Sequence, residues 1–100
     1  MSKLKMSIPH NLPEEEALLR MKSLLTNLKE QQKDVVSDVQ ENWDGKTGNF
    51  SFSAKGFELS GMINVNPSSV EIDADIPFAV SLFKGTIKRV IDEKARELLS

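Results

Sequence analysis

Apolar and polar residues alternate at the start of the chain: Leu4, Met6 and Ile8 are set between Lys3, Lys5 and Ser7. A period of two places the three apolar side chains on one face of a strand, and Pro9 predicts its end because proline cannot donate to a ladder. The period then lengthens. Ala17, Met21, Leu24 and Leu28 recur at helical spacing, widened by Leu18 and Leu25, and predict an amphipathic helix running from about Leu12 to Gln32. Asn11 and Glu14 have the spacing of a capping box, and Pro13 suits a first helical turn. Glu14, Glu15 and Glu16 sit at the end where the helix dipole favours negative charge, with Lys29 and Lys33 near the other.

Four extended segments follow. Val35, Val39 and Trp43 share one face of the first. After the turn cluster Asp44-Gly45-Lys46-Thr47-Gly48, Phe50, Phe52 and Ala54 share one face of the second. Lys55-Gly56 predicts a tight connection to the third, where Phe57, Leu59, Ile63 and Val65 point inward. Gly61, between them, reads as a bulge or bend. Asn66-Pro67-Ser68-Ser69 is a further turn, and Val70, Ile72, Ala74 and Ile76 form the last inward row, ended by Pro77. Connections this short predict an antiparallel meander. A closing helix carries Val80, Phe83, Ile87, Val90 or Ile91, and Leu98 on one stripe. Gly85, unfavourable in a helix by about 1 kcal/mol against alanine, points to close approach of something bulky.

Charge selects the partner of the first strand. Its outward residues Lys3 and Lys5 complement Glu71, Asp73 and Asp75 on the last strand, and opposite charges on neighbouring strands favour pairing. The expected fold is therefore α+β, in the order β-α-β-β-β-β-α. Its five-stranded antiparallel sheet has the order 1-5-4-3-2 and carries both helices on its apolar face. Ser51, Ser53, Ser60 and Asn64 face water on the other side.

Composition adds boundaries to this picture. One hundred residues suit a single domain spanning 1–100. A net charge of -2 supplies no global field for nucleic acid. The absence of cysteine excludes disulfides, thiolate metal sites and a cysteine nucleophile. No apolar run matches a signal sequence or the ~20 residues of a membrane span, and the expected location is the cytoplasm.

Several quoted segments carry a family resemblance: Ser7-Ile8-Pro9-His10-Asn11-Leu12, Trp43-Asp44-Gly45-Lys46-Thr47-Gly48-Asn49-Phe50-Ser51-Phe52, Gly56-Phe57-Glu58-Leu59-Ser60-Gly61, Ile76-Pro77-Phe78 and Phe83-Lys84-Gly85. Together they resemble the polyhydroxyalkanoic acid system proteins over nearly the whole chain. The resemblance implies an association with bacterial polyester storage granules. The element order also resembles the TBP-like fold, whose larger helix-grip members hold apolar ligands between a curved sheet and a C-terminal helix.

Candidate chemistry is sparse. His10 is the sole histidine, so no second imidazole or thiolate completes a zinc site, and a turn or capping role accounts for it. Glu71, Asp73 and Asp75 are expected on an open surface opposite lysines, unlike the paired carboxylates of a dry catalytic cleft. His10 and Glu41 are the residues to inspect for acid–base chemistry. Lys84, Lys88 and Arg89 make a short basic face beside Asp92 and Glu93, without the interleaved aromatics of a nucleic-acid platform. The expected function is that of a non-enzymatic accessory protein, without cofactor or metal, binding a granule surface or granule protein through Phe78 and Leu82. The alternative is a small carrier for an apolar, acyl-type ligand held by Trp43, Phe52, Leu59, Ile63, Phe83 and Ile87. The exposed edge from Val35 to Trp43 leaves edge-to-edge pairing of two copies open.

Overall fold

The computed structural model describes residues 2–31, 33–34, 36–54 and 56–100. The elements are strand β1 (Ser2–Pro9), helices α1 (Glu14–Met21) and α2 (Leu24–Gln31), strands β2 (Val36–Asp44), β3 (Thr47–Ala54), β4 (Phe57–Val65) and β5 (Ser69–Ile76), a 3-10 turn (Phe78–Phe83) and helix α3 (Lys84–Leu99). The strands form one antiparallel sheet in the order β1-β5-β4-β3-β2. Lys3 stands opposite Asp75, Lys5 opposite Asp73 and Ser7 opposite Glu71. Lys3 Nζ lies 3.0 Å from the Asp75 carboxylate, and Ser7 Oγ donates to Glu71 at 3.0 Å, so the charge pattern that selected this pairing is realised in register.

Alternation builds the core. Leu4, Met6 and Ile8 from β1, Phe50 and Phe52 from β3, Leu59, Ile63 and Val65 from β4 and the Val70–Ile76 row of β5 are buried. They meet Ala17, Met21, Leu24, Leu25 and Leu28 of the first helices and Ile91, Ala95 and Leu99 of α3. Burying a Leu, Ile or Phe side chain contributes about 1.5–3 kcal/mol.

The predicted first helix is broken. Ser23 N–H bonds the Arg20 carbonyl at 3.1 Å, and Ser23 Oγ bonds the same oxygen at 2.7 Å. That hydroxyl competes with the helical ladder and bends the chain at Lys22–Ser23. The predicted end, Gln32, lies outside the described residues. No capping box forms either: Pro13 is the N-cap and no side chain bonds it. Proline disfavours the helical region for the preceding Leu12, so the helix starts beyond Asn11's reach.

Strand β2 differs from simple alternation. Ser37 pairs with Ser53 and Gln40 with Ser51, so Asp38 and Val39 together oppose Phe52. This is a β-bulge, with Asp38 at a φ of 53°, a conformation Asp tolerates better than most residues. The extra residue resets the alternation, so Val36, Val39 and Trp43 all pack against the core. Val35, expected on that face, lies outside the described residues, as does Lys55 of the predicted Lys55-Gly56 connection. No bulge forms at Gly61: β4 stays in continuous register with both neighbours there.

The closing helix begins late. Pro77 opens a 3-10 turn, with Val80 N–H bonded to the Pro77 carbonyl at 3.0 Å and Ser81 Oγ to the Phe78 carbonyl at 2.9 Å. Phe83 is left substantially exposed there, while Val80, Ile87, Val90, Ile91 and Leu98 of the expected stripe pack on the core, joined by Ala95 and Leu99. Gly85 is exposed, and a β-carbon there would meet nothing within 4 Å; no close approach demands glycine.

Candidate functional site

The described residues concentrate exposed apolar surface in the turn after β5. Phe78 is 77% exposed, Leu82 92% and Phe83 59%. Pro77 and the short 3-10 winding hold these side chains out, because three residues per turn cannot bury five apolar residues within six on one side. The sequence had singled out Phe78 and Leu82; both are on the surface.

Beside this turn is an apolar cleft of about 310 Å³. Val36, Phe52, Ala54 and Phe57 line its sheet side, and Val80, Phe83, Ile87 and Val90 its helical side. Leu28 and Ile91 also line it, and Thr86 supplies the single side-chain hydroxyl among its lining residues. Phe57 and Phe83 are both substantially exposed. Of the six residues grouped from sequence as a ligand site, Phe52, Phe83 and Ile87 come together here.

The other three do not line the cleft. Leu59 and Ile63 are sealed in the core. Trp43 stands opposite Gly48, its ring filling the space a β-carbon would take, 2.7 Å from that position. Trp43 Nε1 donates to Glu41 at 3.2 Å, and Lys22 Nζ sits 5.9 Å from the ring centroid. Among the cleft members not grouped from sequence, Ala54 and Val90 carry the same inward periodicity as core residues, which does not separate a cleft wall from a sealed position, and Val36 and Ala79 carry no local signal. Val36 reaches it through the bulge, and Ala79 through the 3-10 turn.

The titratable groups are placed differently. His10 is buried at the end of β1. Its Nδ1 accepts the Leu12 N–H at 3.1 Å, and its Nε2 donates to the Asn66 carbonyl at 3.0 Å. Both ring nitrogens are thus committed to backbone, fastening the β1–α1 link to the β4–β5 turn. Glu41 is exposed and holds Trp43. Glu71, Asp73 and Asp75 stand on the uncovered face of the sheet, opposite Ser7, Lys5 and Lys3. Lys88 and Arg89 line a polar groove of about 450 Å³ with Lys5, Asp92 and Arg96, in which Arg96 is paired to Asp92 at 2.9 Å. Lys94 is buried, bonded to Glu97 at 3.2 Å. Among the described residues no three His, Asp or Glu side chains gather as a metal-ion group, and no helix is long and apolar enough to cross a membrane.

Comparison with known proteins completes the site's context. No curated protein matches the chain. A family model covers residues 4–99, which include all of the sheet but the first two residues of β1, the apolar turn and the cleft. The chain belongs to the family described as putative polyhydroxyalkanoic acid system proteins.

Proposed function

We propose that this protein is a non-enzymatic accessory protein of polyhydroxyalkanoate storage that docks on the granule surface through its exposed 3-10 turn. The observation that carries the reading is the cluster Phe78, Leu82 and Phe83, three large apolar side chains left in water within six residues. Surface apolar clusters mark interaction sites more often than isolated apolar residues do, and removing one such side chain from water contributes about 1.5–3 kcal/mol. Membership of a family described by a polyhydroxyalkanoic acid system supports a polyester storage body as the partner. The placement of His10, Glu41 and the β5 carboxylates supports a role without acid–base catalysis, since none of them shares the cleft.

The test is co-sedimentation of the purified protein with isolated granules, before and after protease treatment of the granules. Wild-type protein is expected in the granule fraction in both cases. Leu82→Asp is expected to reduce binding at least tenfold, while Leu19→Asp, at an exposed site on α1, leaves it unchanged. Protein that stays in the supernatant, binding lost on stripping the granules, or equal binding by Leu82→Asp would each overturn the reading.

A further inference from the structure

We infer that the cleft between the β2–β3 end of the sheet and the start of α3 is a binding site for one unbranched aliphatic chain of about eight to ten carbons. This goes beyond granule docking and does not depend on it. Size sets the upper limit. The cleft holds about 310 Å³, at the small end of the range for ligand pockets. A methylene occupies roughly the ~30 Å³ share of a water molecule, so the space admits about ten chain atoms.

Chemistry narrows the class. Thr86 Oγ1 is the lone side-chain hydroxyl in a lining otherwise made of Phe, Leu, Ile, Val and Ala. An extended peptide placed there would leave its N–H and C=O groups unpaired, at a cost that excludes it. An α-helix, about 10 Å across, does not enter a space of this volume. A sugar or nucleotide meets the same lack of partners. A hydrocarbon chain needs none. Its polar end group would remain in solvent beside Phe57 and Phe83, the two substantially exposed aromatics of the lining.

The probes are straight-chain carboxylates from butanoate to tetradecanoate, and the corresponding primary alcohols, titrated into the full chain below their critical micelle concentrations with NMR detection of side-chain methyl groups. Shifts are expected at Val36, Val80, Ile87 and Val90 and not at Val65 or Val70, which are buried in the core away from the cleft. Affinity is expected to rise about fourfold per added methylene, the equivalent of about 0.8 kcal/mol, and to level off near ten carbons. Alcohols and carboxylates of one length are expected to bind alike. Ala54→Phe and Ala79→Phe fill the space from opposite walls; each is expected to abolish the shifts while the protein keeps its melting temperature within a few degrees. Both variants failing to fold leaves the chain-length series on the wild-type protein as the deciding result. No binding by any probe, affinity that climbs without levelling, or shifts spread over the whole surface would overturn the inference. Granule docking is measured without these probes, so either result can fail alone.

Discussion

At Gly61 a β-carbon would strike the backbone carbonyl of Asp73 and come within 2.6 Å of the Phe50 ring. The glycine is there because an aromatic from the neighbouring strand lies across it, and Trp43 lies across Gly48 in the same way. Each ring covers a stretch of backbone that a side chain would otherwise shield. Gly85 has no such neighbour. The contrast gives a paired expectation: Gly61→Ala destabilises the protein by about 1–3 kcal/mol through overpacking, and Gly85→Ala stabilises it by about 0.5 kcal/mol through helix propensity. Chemical denaturation of the two variants checks both signs. The sequence marks both glycines as unusual, but the close neighbour expected at Gly85 stands at Gly61, and Gly85 has none. A glycine in a strand pattern signals a bulge or a close neighbour equally well, and its own position does not say which.

Among the elements, α1 and α3 are tied by one side chain. Arg20 is oriented by Glu16 at 3.0 Å and donates through Nη1 to the Leu98 and Ser100 carbonyls at 3.0 and 2.9 Å. The last carbonyls of a helix lack intrahelical donors and carry the negative end of its dipole, so a guanidinium from a neighbouring helix satisfies both needs. Arg20→Met, which keeps much of the stem, is expected to lower stability by about 1–2 kcal/mol. It should also speed amide exchange over residues 96–99 without changing exchange in β5. Equal protection of that last turn in both proteins would contradict the contact. None of this was legible in the sequence, because Arg20 is 78 residues from its partner at Leu98. The break between α1 and α2 was hidden for a different reason: Ser23 is no strong helix breaker, and only its hydroxyl's choice of the Arg20 carbonyl makes it act as one.

Across the whole molecule, strand order was legible because a period of two fixes which residues face outward, and the charges on those residues then select neighbours. Lys3 and Lys5 against Asp75 and Asp73 carried that information. The cleft was only half legible. Inward-facing positions such as Phe52 and Leu59 look alike in the sequence, yet one lines open space and the other is sealed. The difference arises from how far α3 covers the sheet, which depends on the 3-10 turn and the β2 bulge rather than on any periodicity. We propose that the turn Phe78–Phe83 is the face that docks on a polyester granule. Hydroxyl-radical footprinting of side chains, on granules and in free solution, tests it most directly. The account predicts that Phe78, Leu82 and Phe83 lose reactivity on granules, while Met62 on the open sheet face and Leu19 on α1, both exposed, keep theirs. Shielding of Met62 or Leu19 with Leu82 still fully reactive would contradict it.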